Sequence, residues 1–167
     1  MDNIVRQLIF KLQESFDGRP WFGESLMAKL NSVDFNKVNV RPLPSQNSIS
    51  RLVQHIINWR LFVIKKLQGD REFDIQQNDT NDWTDVQINN DQDWNKLITK
   101  LQDTQQEITN FLSSKNNAFL TQQVSGRQYD YQYLIEGLVQ HDIYHLGQIG
   151  LVKKLAEDNY VTTGNSA

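Results

Sequence analysis

The chain has 167 residues, 17 lysines and arginines against 20 aspartates and glutamates, a formal charge of −3 and no cysteine. That length suits one domain with a proper core, and the missing cysteine excludes disulfides, thiolate metal sites and a cysteine nucleophile. No basic block marks a nucleic-acid partner, and no apolar run approaches the roughly 20 residues of a membrane span, so a cytoplasmic protein is expected.

The first segment, MDNIVRQLIFKLQESF, interrupts its apolar residues with Arg6, Gln7 and Lys11, which is not the continuous core of a signal peptide. Asp2 or Asn3 can cap a helix reaching Phe16, with Ile4, Val5, Leu8, Ile9, Leu12 and Phe16 on one side. Asp17-Gly18-Arg19-Pro20 stops it. Trp21 to Leu30 is expected to form a short second helix. Asn31 to Gln46 holds Pro42 and Pro44 and reads as an extended connection.

Asn47 or Ser48 then caps a long helix, ISRLVQHIINWRLFVIKKLQ, ended by Gly69. Leu52, His55, Trp59, Phe62 and Leu67 mark its inward stripe. Asp70 to Asn90 is polar; Asp79, Asn81, Asp82 and Asp85 lack the spacing of a calcium loop and read as solvated turn residues. Loops this long inside a compact domain are uncommon and often functional. Asp91 or Asp93 opens the next helix, where Trp94, Leu97, Ile98, Leu101, Ile108 and Leu112 make a near-heptad stripe. Asn116-Asn117 breaks it, and Ser125-Gly126-Arg127 is a turn. The last helix is expected from about Tyr129 to Glu157, apolar on nearly every side and hence buried centrally or in a dimer. Residues 1–158 read as one all-α domain, and 159–167 as a frayed tail. Four long helices, one long crossover loop and one extra short helix describe a four-helix bundle.

The last helix carries His141 and His145 four residues apart, so both imidazoles lie on one face. Two ring nitrogens from adjacent turns are a ready base for a divalent cation. The pattern is short, and three histidines in such a chain produce it by chance about 4% of the time. His55 sits mid-helix among apolar neighbours. It is either a metal ligand or a core histidine donating to a buried carbonyl. In bundles, metal sites are built from facing helices, and His55 opposite His141 and His145 makes that arrangement. Gln148 falls on the same face and can orient a bound water or substrate, or simply end the pocket. Arg51 and Trp59 flank His55 by one turn, Arg51 as a partner for an anionic group, Trp59 as core or substrate platform. Asp142 and Tyr144 are expected to point off the face, Asp142 into an ion pair or hydrogen bond at an interface.

The string GLVQHDIYHLGQIGLVKKL, the lone histidine of LVQHIINW and the Trp21-Phe22-Gly23 segment resemble the DinB/YfiT-like superfamily over nearly the whole chain. The resemblance implies a four-helix bundle holding a divalent metal on His55, His141 and His145, often as a homodimer. It implies one of two activities. One is a transferase using a low-molecular-weight thiol such as bacillithiol, mycothiol or glutathione on a small-molecule substrate. The other is a metal-dependent hydrolase. A non-catalytic, metal-stabilised binding or dimer module is the remaining alternative. Three protein ligands leave a coordination position open, which marks catalytic rather than structural sites. Zinc and nickel both suit imidazole ligands.

Overall fold

The computed structural model describes residues 3–44 and 47–163, with 159–163 as backbone only. Its long elements are α1 (Asn3–Phe16), α3 (Ile49–Leu67), α4 (Asp91–Ser113) and α6 (Tyr131–Thr163). Two short helices, α2 (Leu26–Asn31) and α5 (Asn117–Leu120), and a 3-10 turn at Phe35–Lys37 lie between them. The protein is all-α; among the described residues the only β pairing is an isolated bridge between Gln123 and Asp130. No helix there is long and apolar enough to cross a membrane.

The local signals act as their chemistry demands. Ser48 caps α3, its hydroxyl accepting from the Arg51 amide at 3.3 Å. Gly69 takes φ +80°, and the Asp70 amide donates back to the Lys65 carbonyl, ending α3 in a left-handed turn. Asp91 opens α4 as expected, and Asn90 caps it; the Asn90 side chain accepts from the Asp93 amide, and the Asp93 carboxylate accepts from the Asn89 amide. Asp130 caps α6 by accepting from the Tyr133 amide. An Asp2 cap on α1 lies outside the described residues.

Three expectations are corrected. The second helix begins at Leu26, not Trp21. Gly23 at φ +126° turns the chain, Ser25 supplies the cap, and Trp21 is 99% exposed. A second short helix, α5, grows from the Asn116 cap where only a mixed segment is expected. The last helix runs from Tyr131 to Thr163, past the expected end at Glu157; 164–167 lie outside the described residues.

Each of α1 and α3 packs on both α4 and α6, the pairing of a four-helix bundle. The apolar core falls into two clusters. One joins Val5 to Leu12 of α1, Phe62 to Leu67 of α3, Ile108 and Leu112 of α4, and Leu134 to Val139 of α6. The other joins Phe16, Leu52 to Ile57, Trp94 to Leu101, and Leu146 to Val152. Along the chain, α3 and α4 both pass from the second cluster to the first. They therefore run in the same direction, and their connection must travel back along the bundle, about 28 Å for a helix the length of α3. That explains the long polar loop.

Between the two clusters lies a buried polar layer. It consists of His55, Asn58 and Arg60 on α3, Thr104 and Gln105 on α4, and Asp142 and His145 on α6. Arg60 is fully buried. It donates from Nε and Nη2 to Asp142 Oδ2 at 3.0 and 2.7 Å, and from Nη1 and Nη2 to Gln105 Oε1, both at 3.0 Å. Its guanidinium stands 4.7 Å over the Phe16 ring. One side chain thus touches all four long helices. On α6, Tyr133, Tyr144 and Leu151 stay exposed, so the all-round apolar helix keeps one face uncovered.

Candidate metal centre

The site occupies one side of this polar layer. His55 Nε2 is 3.0 Å from His145 Nε2 and 3.1 Å from His141 Nε2. The helix pitch stacks His141 over His145, and the packing of α3 on α6 brings His55 to them. Together the three form a group able to hold a metal ion.

The other nitrogens decide which way the lone pairs face. His55 Nδ1 lies 3.0 Å from the Asp82 carbonyl oxygen, which only accepts, so Nδ1 carries the proton. His145 Nδ1 lies 2.7 Å from Gln148 Oε1 and is a donor by the same reasoning, with the tautomers assigned from the network. Both Nε2 atoms therefore present lone pairs to each other at 3.0 Å. His141 Nε2 can offer a proton to only one of them. Acceptors this close repel one another unless a proton or a cation lies between them, and imidazole nitrogens facing inward, two of them with a held Nδ1–H, have the chemistry of metal ligands. Ligands about 2.05 Å from one ion stand about 2.9 Å apart at right angles and about 3.4 Å apart at the tetrahedral angle. The two spacings from His55 fall in that interval, and all three ligand atoms lie within 4.8 Å of one another. The residues fit a divalent metal.

Burial favours the neutral, ligating form. It pushes the His55 imidazole below its usual range, with the nearby His141 adding to the shift against the Asp82 contacts. It pushes His145 down to about 4, again mainly by burial and then by His141.

The crossover loop, expected to be a solvated surface segment, completes the site. Asp82 is buried, contrary to its reading as a solvated turn residue. Its Oδ1 accepts from the Trp59 indole N–H at 2.8 Å and its Oδ2 from the Asn78 amide at 2.7 Å. Trp83 stacks on the His55 ring at 3.8 Å and 8°. Asn58 Nδ2 donates to the Asn81 and Asp82 carbonyls and to Thr84 Oγ1. Arg51 is engaged with the same loop: Nη1 donates to Asn47 Oδ1, Nη2 to the Trp83 carbonyl, and Nε lies 3.3 Å from Asp85. Three successive turns of α3 thus grip residues 81–85 and lay them over His55. The loop returns past the polar layer because α3 and α4 are parallel, and it satisfies donors there that apolar chain would strand.

Of the other residues singled out from sequence, Gln148 orients His145, and Trp59 forms a wall of the cleft. Asp142 gives its Oδ2 to the internal ion pair with Arg60 at 2.7 Å, while its Oδ1 lies 3.8 Å from His141 Nδ1, on the far side of that ring from Nε2. Tyr144 corrects its expectation: it is exposed but lines the cleft, its ring edge-on to His145 at 4.9 Å. Asp82, Trp83, Asn58 and Arg60 escape a sequence reading. The available signals are two polar residues inside the buried stretch INWRLF and a tryptophan in a polar loop.

The cleft holds ≈ 360 Å³ and is bordered by the three histidines, Trp59, Trp83, Gln77, Asn78, Asp82, Tyr144 and Gln148. Its entrance is on the side of His141, whose side chain is 24% exposed against 5% for His55.

The family model of the DinB superfamily matches residues 24–149. No curated protein and no solved structure matches the chain.

Proposed function

Because the chain belongs to the DinB superfamily and folds three histidines to one point, we propose that it is a metal-dependent enzyme. In this reading a thiol cosubstrate, or water, attacks a small electrophile. His55, His141 and His145 hold a divalent ion, zinc or nickel. Such an ion supplies a Lewis acid that brings a thiol or water to its anionic form near neutral pH. The observation that carries the reading is the confrontation of Nε2 atoms at 3.0 and 3.1 Å, opening on a polar cleft.

The chain's own residues do the rest. The Asp82 carbonyl and Gln148 keep protons on the far nitrogens, so the near ones stay ligands. Trp83 covers His55 and keeps water from that side. Gln77, Asn78 and Tyr144 border the space where a substrate's polar group would sit. In the thiol version the S–H proton would pass to solvent, an S–C bond would form as the bond from that carbon to its leaving group breaks, and the leaving group would depart with that bond's electron pair. With no cysteine in the chain, the nucleophile comes from outside.

Elemental analysis of protein purified without an affinity tag should find about one divalent ion per chain, and His141→Ala should lose most of it. Unchanged metal in that variant would sink the ligand set. Thiol consumption with a small alkyl halide or epoxide, against ester cleavage without thiol, separates transferase from hydrolase. Neither activity in the metal-loaded protein favours the binding-module alternative. The same proposal includes a homodimer formed on the uncovered face of α6, where Tyr133, Tyr144 and Leu151 are exposed. A monomer at every concentration in sedimentation would remove that part.

A further inference from the structure

A second cavity, ≈ 230 Å³, lies against the metal cleft, and the two share Trp59 and His141 as walls. Its other sides include Phe62, Leu134, Leu138 and Gly137. Its character is opposite to the cleft's: aliphatic and aromatic carbon with almost no polar group. The partition between the two is held rigidly. The Trp59 indole N–H is tied to Asp82 at 2.8 Å, and its ring is wedged between Phe62 at 5.5 Å and His141 at 5.6 Å. Gly137 keeps the cavity open, for a Cβ there would meet nothing within 4 Å.

We propose that this cavity is the seat for the apolar tail of the substrate, whose reacting polar end lies in the histidine cleft. The inference rests on the metal reading above and adds the substrate class. An apolar cavity of about 150 Å³ accommodates benzene, so this one takes a single aromatic ring or an alkyl chain of roughly six carbons. The substrate is thus a small amphiphile, with an electrophilic or hydrolysable head and one ring or short chain, rather than a sugar, a nucleotide or a peptide. The occupant belongs to the substrate because the cavity and the histidine cleft share Trp59 and His141 as walls, and the His141 side chain, 24% exposed, is the rim over which a small molecule reaches both.

Zinc-loaded protein titrated calorimetrically with alkyl hydroxamates tests this, since the hydroxamate head seeks the metal and only the tail varies. From acetohydroxamate upward, affinity should rise up to about fourfold per buried methylene. It should level off near roughly six carbons, when the cavity is full, and benzohydroxamate should match the longer members. Gly137→Val should flatten the series, and Gly137→Ala should shorten it. A flat series in the parent protein, or a rise that Gly137→Val leaves intact, overturns the assignment. If Gly137→Val shifts the sedimentation coefficient while the series is unchanged, the cavity holds a second copy and the proposal is equally overturned. Failure of every hydroxamate to bind, acetohydroxamate included, rejects the metal reading, and the tail site falls with it.

Discussion

Replacing Arg60 with methionine removes the one cation of the buried layer. Arg60 is fully buried and Asp142 is 4% exposed, so the carboxylate left behind has no water to turn to. Two charge-assisted contacts to Asp142 and two hydrogen bonds to Gln105 go together. Breaking such a pair from one side costs about 3–5 kcal/mol, most of it the uncompensated buried charge. For a chain of this size each kcal/mol moves the midpoint by about 2–4 °C, so Arg60→Met should melt roughly 6–20 °C lower. The double variant Arg60→Met, Asp142→Leu removes both charges at once and should recover most of the loss, since a well-packed apolar pair replaces a buried ion pair at little or no net cost. Urea titrations of the three proteins, read at equal m-values, measure both steps. A loss under about 1 kcal/mol in Arg60→Met, or a double variant less stable than the single, would refute the view that uncompensated charge dominates this layer.

Asp82→Ala leaves the half-buried Trp59 indole and the exposed Asn78 amide without these acceptors, at about 0.5–1.5 kcal/mol for each hydrogen bond lost; Asp82→Asn keeps the shape and should lose less by the same urea titration. Both loosen the hold on His55, so zinc affinity measured against a chelator should fall about 10–100-fold in Asp82→Ala. Gln148→Leu removes the acceptor for His145 and should weaken zinc by a similar factor, about 10–100-fold, with Gln148→Glu largely preserving it; equal affinities in all three would dismiss Gln148 as an orienting group. Stability of the metal-free protein should decline as pH falls from about 6.5 towards 4. His145 titrates near 4 when folded and near 6.5 when unfolded, so the unfolded chain binds more protons throughout that window. His145→Gln should show a shallower decline by denaturant titration, and identical slopes would contradict the shift.

The architecture was largely legible along the chain because its signals are local. Periodic apolar stripes, the Ser48 cap and the Gly69 stop act over one or two turns, and a helix registers them wherever it later packs. The i, i+4 spacing of His141 and His145 is likewise a property of a single helix. The expected helix began too early at Trp21 and another stopped too early at Glu157; both differences sit at element ends, where boundaries are least fixed by local signals.

What lies across elements was decided only by folding. Asp82 and Trp83 are polar-loop residues by neighbourhood, and nothing near them in sequence says that they cover His55. They reach it because α3 and α4 run parallel and force the connection back over the polar layer. Arg60 and Gln105 carry no local sign of partnership, and the partner of the ion pair expected at Asp142 is unnamed, until packing brings Gln105 and Asp142 each to 3.0 Å or less from Arg60. The convergence of three Nε2 atoms is of the same kind. Sequence supplies the residue types and the facing pair, but distances between elements, and therefore ligation, proton placement and the cleft beside it, exist only once the helices have met.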